Sequence, residues 1–314
     1  MSFTDEVKHE LIRYKNKSSE ARRAELAALL RMTGSISIAS REMAVKLKLR
    51  YGDLARMIFT WLKNEYELQV EIRVFQPSRL EKGQSYMLHI PPQDDLSTLL
   101  QDLGILSRDN SIDFSISSEF LVRGEVGQAY LRGMFIGGGS INRPSSEYHL
   151  EFRCDYHSQA EDLVKLLEIF DITSSMIEHQ DRYMVYLKEY KKIISLLNLI
   201  GAQQAQLKLE HASIIKEVKG DVNRRLNFET ANLDKTIEAA LEQLEDIDFI
   251  EKNIGLENIS ESLREIARLR RRHPYASLKE LGQKLNPPLS KSGVNHRFRR
   301  LRKIARDNSN RRDN

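Results

Sequence analysis

Apolar positions along this chain change period several times, and the changes divide it. Phe3, Val7, Leu11 and Tyr14 share one helical face behind Thr4-Asp5-Glu6, a hydroxyl followed by acids in the first turn. Ser18 or Ser19 opens a second helix that keeps Leu26, Leu29 and Leu30 inward, reaches Thr33 and stops at Gly34. The period then drops to two over residues 35–39 and 43–50, where Val45, Leu47 and Leu49 alternate with Lys46, Lys48 and Arg50. A helix over 54–68 turns Met57, Ile58, Trp61 and Leu62 inward. Strands over 70–75 and 85–90 flank a turn at 77–83, Pro91-Pro92 breaks the pattern, and 96–106 reads as a small helix.

After a polar connector over 107–118 the order repeats. Leu26 to Gly34 and Leu131 to Gly139 lie 105 positions apart, each an apolar helix ending in Gly-Ser and a strand. Strands over 140–143 and 147–154 come next, then a helix from a Ser158–Glu161 capping box to about Phe170. Strands over 174–178 and 182–187 and a helix over 189–200 complete the unit, with Gly201 as its exit. Each unit is therefore α-β-β-α-β-β-α. Gly137-Gly138-Gly139 needs a reason, since each glycine costs about 1 kcal/mol in a helix. Two are available: close approach of the 25–35 helix, and a left-handed Gly139 ending the turn.

These residues carry a resemblance. The two Gly-ended helices are similar to the LAGLIDADG helices of homing endonucleases, and nearly the whole chain resembles the WhiA family of bacterial DNA-binding proteins. The marks are Gly-Gly-Gly-Ser at 137–140, Asn227 to Lys235, and Asn286 to Arg297. In the homing enzymes the helix ends carry metal-binding acids; here those positions are Thr33 and Gly138. Two-metal phosphodiester chemistry needs hard anionic oxygens, which neither residue supplies. The resemblance implies a nuclease scaffold without its catalytic pair, in a protein of cell division and chromosome segregation. In some members of the family the implied role is transcriptional control of sporulation.

The tail carries the charge. From Ile259 onward there are 16 Lys/Arg against 5 Asp/Glu, which leaves 33 against 40 in the preceding residues. Polyanion affinity is expected in the tail, because positive charge steers and holds phosphate backbones. Residues 203–254 read as helical, interrupted at 221–225 and restarting under an Asn232 cap, either as a linker arm or as a first layer of the tail. Arg224 and Arg225 there read as phosphate contacts or as a solvated face. Three short helices follow: one under an Asn258–Glu261 capping box with Leu263, Ile266, Ala267 and Arg270 at helical spacing, one under Ser277–Glu280, and one capped by Ser290. The last keeps Val294, Phe298, Leu301 and Ile304 inward.

That pattern resembles a helix-turn-helix domain whose third helix reads the major groove. The expected DNA-binding set is Ser290, Lys291, Ser292, Asn295, His296, Arg297, Arg299, Arg300, Arg302 and Lys303, a run with no acid. Asn295 suits an adenine edge and Arg299 a guanine edge; Arg297, Arg300, Arg302 and Lys303 suit phosphates. A solvated basic helix without a partner is the alternative. The comb of Lys46, Lys48 and Arg50 has the same two readings, a DNA-facing saddle or a solvated face.

Little else in the sequence suggests chemistry. Eight scattered histidines show no metal-ligand spacing, and the glycine run follows a helix where a phosphate loop precedes one. Cys154, the single cysteine, sits on the apolar side of an alternating strand and reads as a buried thiol. No metal, cofactor or catalytic residue is expected, nor a membrane span or leader; the setting is the cytoplasm, at the nucleoid. The fold class is α+β: two LAGLIDADG-like repeats in one body (1–106, then 107–202), a helical connection (203–257), and an all-α helix-turn-helix domain (258–314). The expected partner is duplex DNA, bound by a monomer without nuclease activity. An endonuclease using other acids, such as Asp53 or Glu119, and a scaffold recruiting a protein through the acidic body are the competing classes.

Overall fold

A computed structural model of the chain describes residues 1–39, 42–75, 84–180 and 182–309; the turn expected at 77–83 lies outside the described residues. The chain divides into two compact units, Met1–Lys216 and Glu217–Asn314, here called body and tail.

The body opens with α1 (Phe3–Ile12) and α2 (Ser19–Thr33), then β1 (Gly34–Ala39), β2 (Glu42–Leu49), α3 (Gly52–Glu65), β3 (Glu71–Phe75), β4 (Ser85–Ile90) and α4 (Asp95–Asp102). The second repeat is α5 (Glu125–Gly138), β5 (Gly139–Ile141), β6 (Leu150–Cys154), α6 (His157–Ile169), β7 (Ser175–His179), β8 (Arg182–Leu187) and α7 (Tyr190–Ile200). Two antiparallel sheets with the same order result, β1-β2-β4-β3 and β5-β6-β8-β7. Alternation explains which face each strand buries. Val45, Leu47 and Leu49 of β2 are inward, and Leu150, Phe152 and Cys154 of β6 do the same. Burial pushes the Cys154 thiol up to about 12, so it is an inert core group.

The repeats meet along α2 and α5. A Cβ on Gly133 would stand 2.5 Å from Glu25 O, and one on Gly137 would stand 2.4 Å from Met32 Cβ. Neither contact is tolerable, so the glycines permit the close crossing that the repeat suggested. The second expected role fails. Gly139 is extended (φ −78°, ψ 151°), because the chain passes directly from helix into β5 with no left-handed turn. Gly34 does the same at φ −89°, ψ 153°. Gly201 is the left-handed exit, at φ +91°.

Sequence reading missed the group that locks this crossing. Arg132 and Glu25 are 2% and 1% exposed and pair at 2.9 Å. Arg132 Nη1 also donates to Ile200 O at 2.9 Å, another guanidinium nitrogen donates to Asn16, and its face covers the Tyr14 ring at 4.0 Å. Burial pushes Glu25 up, against the pull of Arg132 and the hydrogen bonds from Arg132 and Asn16. With these donors bonded, the pair is compatible with a dry interface.

The tail comprises most of α8 (Gln203–Asn253), then α9 (Glu261–Arg272), α10 (Leu278–Gln283) and α11 (Lys291–Ser309). The interruption expected at 221–225 is absent. α8 runs through it, with Arg224 paired to Asp221 and Arg225 to Glu229 along the helix surface, the solvated reading of those arginines. Such i,i+3 and i,i+4 pairs support a helix where propensity alone does not. Two expected capping boxes also fail. Tyr156 precedes α6 and Ser260 precedes α9, neither with a side-chain cap bond.

Candidate nucleic-acid interface

The tail core gathers Ile247 and Ile250 of α8, Leu263, Ile266 and Ala267 of α9, Leu281, and Val294, Phe298, Leu301 and Ala305 of α11. Local signals set the helix starts. Ser277 Oγ accepts from Glu280 N at 3.3 Å while Glu280 Oε2 accepts from Ser277 N at 2.7 Å, the box read in the sequence. Ser290 Oγ accepts from Gly293 N at 3.3 Å and caps α11. Between the two, Leu289 N donates to Gly282 O at 3.0 Å. A Cβ on Gly282 would stand 2.2 Å from Leu289 O, so the connection lies directly on α10. Arg270 sits inside this unit, 1% exposed, donating to Gln243, Pro274 O and Ala276 O. It fixes α9 against the following loop, and burial lowers its pKa.

With Val294, Phe298, Leu301 and Ala305 inward, helical geometry sets Ser292, His296, Arg299 and Lys303 on the opposite stripe. All four are exposed, as are Lys291 and Arg300; Asn295 is half-buried at the stripe's edge. Among the described residues no acid lies within ion-pair distance of Lys291, Arg299, Arg300 or Lys303. Arg306, three positions beyond Lys303, continues the stripe and is exposed; the sequence reading stopped one turn short of it.

Three expected members belong elsewhere. Arg297 Nη1 donates to Ser262 O at 3.0 Å and to Glu265 Oε2 at 3.1 Å, half-buried between α11 and α9. Arg302 is held by Glu242 and by Asp246 Oδ2 at 3.3 Å, and the hydrogen bond it donates to Glu242 raises its pKa. Ser290 is engaged as the cap and shares its hydroxyl with Ser292 at 2.9 Å. The amphipathic pattern showed which residues were polar. It could not show which polar residues had found partners on α8 and α9.

In the body, Thr33 and Gly138 end α2 and α5. Thr33 Oγ1 donates to Leu29 O at 2.8 Å, and a Cβ on Gly138 would stand 2.0 Å from Met32 Cε. Neither end presents a carboxylate, and the described residues contain no cluster of three or more His, Cys, Asp or Glu arranged for a metal ion. Asp53 pairs with His9 at 2.8 Å and Glu119 with Arg23, so these acids do not converge. No described helix is long and apolar enough to cross a membrane.

A doubled LAGLIDADG-like α+β body followed by a helix-turn-helix unit defines the class of protein. The domain profiles agree in order: the WhiA N-terminal LAGLIDADG-like domain over residues 19–106, the WhiA LAGLIDADG-like domain over 127–219, and the WhiA C-terminal HTH domain over 222–305. The chain belongs to the WhiA family. It is 49% identical over 308 residues to the probable cell division protein WhiA of Halothermothrix orenii, covering 98% of each chain. Against the Clostridium perfringens protein of the same name it is 41% identical over 310 residues, again covering 98% of each. The crystal structure of full-length DUF199/WhiA from Thermatoga maritima superposes with a TM-score of 0.60 at 28% identity, covering 98% of this chain and 99% of that one.

Proposed function

We propose that the chain binds duplex DNA through α11, as part of cell division and chromosome segregation, and does not cut it. The observation that carries this reading is the stripe of Ser292, His296, Arg299 and Lys303, exposed opposite the apolar seam. Its arginine and lysine have no acid within ion-pair distance among the described residues. Short polar groups on the first turns and cations beyond them suit a helix laid in the major groove. Asn295 and Arg299 are assigned to base edges; Lys291, Arg300, Lys303 and Arg306 are assigned to phosphates. Sporulation-type transcriptional control is the alternative reading, and it would use the same surface.

The reading that the chain does not cut DNA is supported by Thr33 and Gly138, which give no hard ligand at the ends of α2 and α5. The two repeats complete each other within one chain, which favours a monomer. The body also leaves room for a protein partner, although its charge nearly balances, with 28 Lys/Arg against 29 Asp/Glu over Met1–Lys216. The same reading would place the chain in the cytoplasm, at the nucleoid.

The test is fluorescence anisotropy of the full chain on its best genomic site and on random duplex, over a salt series. Arg299→Ala should lose about 1–3 kcal/mol on the specific site and little of its affinity for random sequence. An unchanged footprint on the best site sinks the base-reading role. A plasmid incubated with the chain and Mg²⁺ should remain supercoiled.

A further inference from the structure

The body contains a second basic feature, and it is a cavity. At the ends of α2 and α5 a space of about 330 Å³ is lined by Lys8 of α1, Lys48 of β2, Arg50 and Arg153 of β6, with Thr33 and Gly137 at its wall. Four cations face one carboxylate, Asp5. That carboxylate is already engaged, accepting from Tyr51 Oη at 2.6 Å and from Ser2 N at 2.9 Å. Arg50 approaches it only at 3.7 Å. Among the described residues no acid lies within ion-pair distance of Lys8, Lys48 or Arg153. Unneutralised like charges around a concavity are costly to hold together, and an anion relieves the cost. Lys8 registers the strain: burial first, then the nearby Arg153 and Arg50, bring its ammonium down to about 8 despite Asp5.

We propose that this cavity is a binding site for a small ligand bearing two linked phosphoryl groups. A single carboxylate would leave most of the positive charge unmet. A diphosphate offers several oxygens to two guanidinium forks and two ammonium groups at once. The volume lies at the low end of small-molecule sites, which fits the phosphoryl portion of such a ligand. A duplex backbone is the poorer occupant, because it needs cations strung along both sheets. Across from Arg153 the second sheet presents Met184 and then Ile177, and on the first sheet Arg73 is taken by Glu71. Positive charge is concentrated at the cavity, with Lys46 beyond it, two positions before Lys48 on β2.

Calorimetric titration of the full chain with inorganic pyrophosphate, at constant ionic strength and near pH 8, tests the site. One saturable site is expected, weakened roughly tenfold or more by Arg153→Gln and by Lys48→Gln. Both side chains are exposed, so neither substitution threatens the fold. The anion returns Lys8 toward its ordinary value, so the parent chain should take up more protons on binding than Lys8→Met does, the proton exchange of pyrophosphate itself being common to both. Asp5, Lys48, Arg50, Tyr51 and Arg153 surround that ammonium, and Asp5, held at about 2, stays ionised near pH 8. No saturable heat, or equal affinity in the Gln variants, overturns the proposal. So does one-for-one displacement of pyrophosphate by a short duplex on a chain carrying Arg299→Ala and Lys303→Ala, which would assign the site to a nucleic-acid backbone.

Discussion

Arg132 of the body and Arg299 of the tail are the same residue type put to opposite uses. Arg132 is 2% exposed, paired to Glu25 at 2.9 Å, bonded to Ile200 O and Asn16, and stacked on Tyr14. Arg299 is exposed and faces no acid of its own chain among the described residues. A guanidinium whose donors are spent on its own chain closes an interface, and one whose donors are free can recognise a phosphate or a base edge. Availability, more than charge, separates the joint between repeats from the surface offered to a partner.

The closed side gives the largest expected effect. Glu25→Ala leaves Arg132 charged, buried and short of its anion, and should cost about 3–5 kcal/mol in urea unfolding of the full chain. Replacing both residues by Met should recover much of that loss, since no charge then remains to be desolvated. If the single variant is as stable as the parent, the pair does not join the repeats.

Protons probe a second carboxylate of the body. Burial raises Asp5, but hydrogen bonds from Tyr51 and Ser2, with Arg50 nearby, outweigh it and hold the group at about 2. Its folded value lies below the ordinary carboxylate value of about 4. The stability it contributes is therefore present above that value and is lost as the pH falls toward 2. Asp5→Asn should flatten this part of the acid unfolding curve and cost about 1 kcal/mol at neutral pH, through the weakened capping box that Asp5 shares with Ser2 on α1. An acid limb identical to the parent's would place the proton-sensitive group elsewhere.

Much of this comparison is legible in the amino-acid sequence. The 105-residue repeat located both Gly-ended helices, and alternation gave the inward faces of β2 and β6, because a hydrophobic period reports what is buried. The apolar seam of α11 followed from the same rule. What sequence hid was pairing across distance. Glu25 and Arg132 stand 107 residues apart on separate helices, and nothing local couples them. Gly139 ends α5 as expected, but its extended conformation was not legible, because left-handed and extended glycines look alike in a sequence. The break expected at 221–225 failed because charged residues favour turns only where helical neighbours do not satisfy them, as Asp221 and Glu229 do here. The cations at Lys8 and Arg153 lie 145 residues apart, so only the fold assembles their cavity.

Arg302 gives the smallest effect and sharpens the contrast most. Read from the sequence it is one more phosphate contact, level with Lys303. In the folded tail its guanidinium is held by Glu242 and Asp246 of α8, and its side chain is only 38% exposed. A partly exposed pair of this kind contributes about 0.2–1 kcal/mol. Arg302→Ala should therefore lower the melting temperature slightly and leave the salt dependence of DNA binding nearly as it was. Lys303→Ala, one residue further along, should reduce the salt slope by about one while leaving the melting temperature unchanged. Were the two variants to exchange behaviours, the ion pair would open on DNA and the free stripe of α11 would need redrawing. A parallel salt titration of both separates a cation that braces the helix from one that meets the duplex.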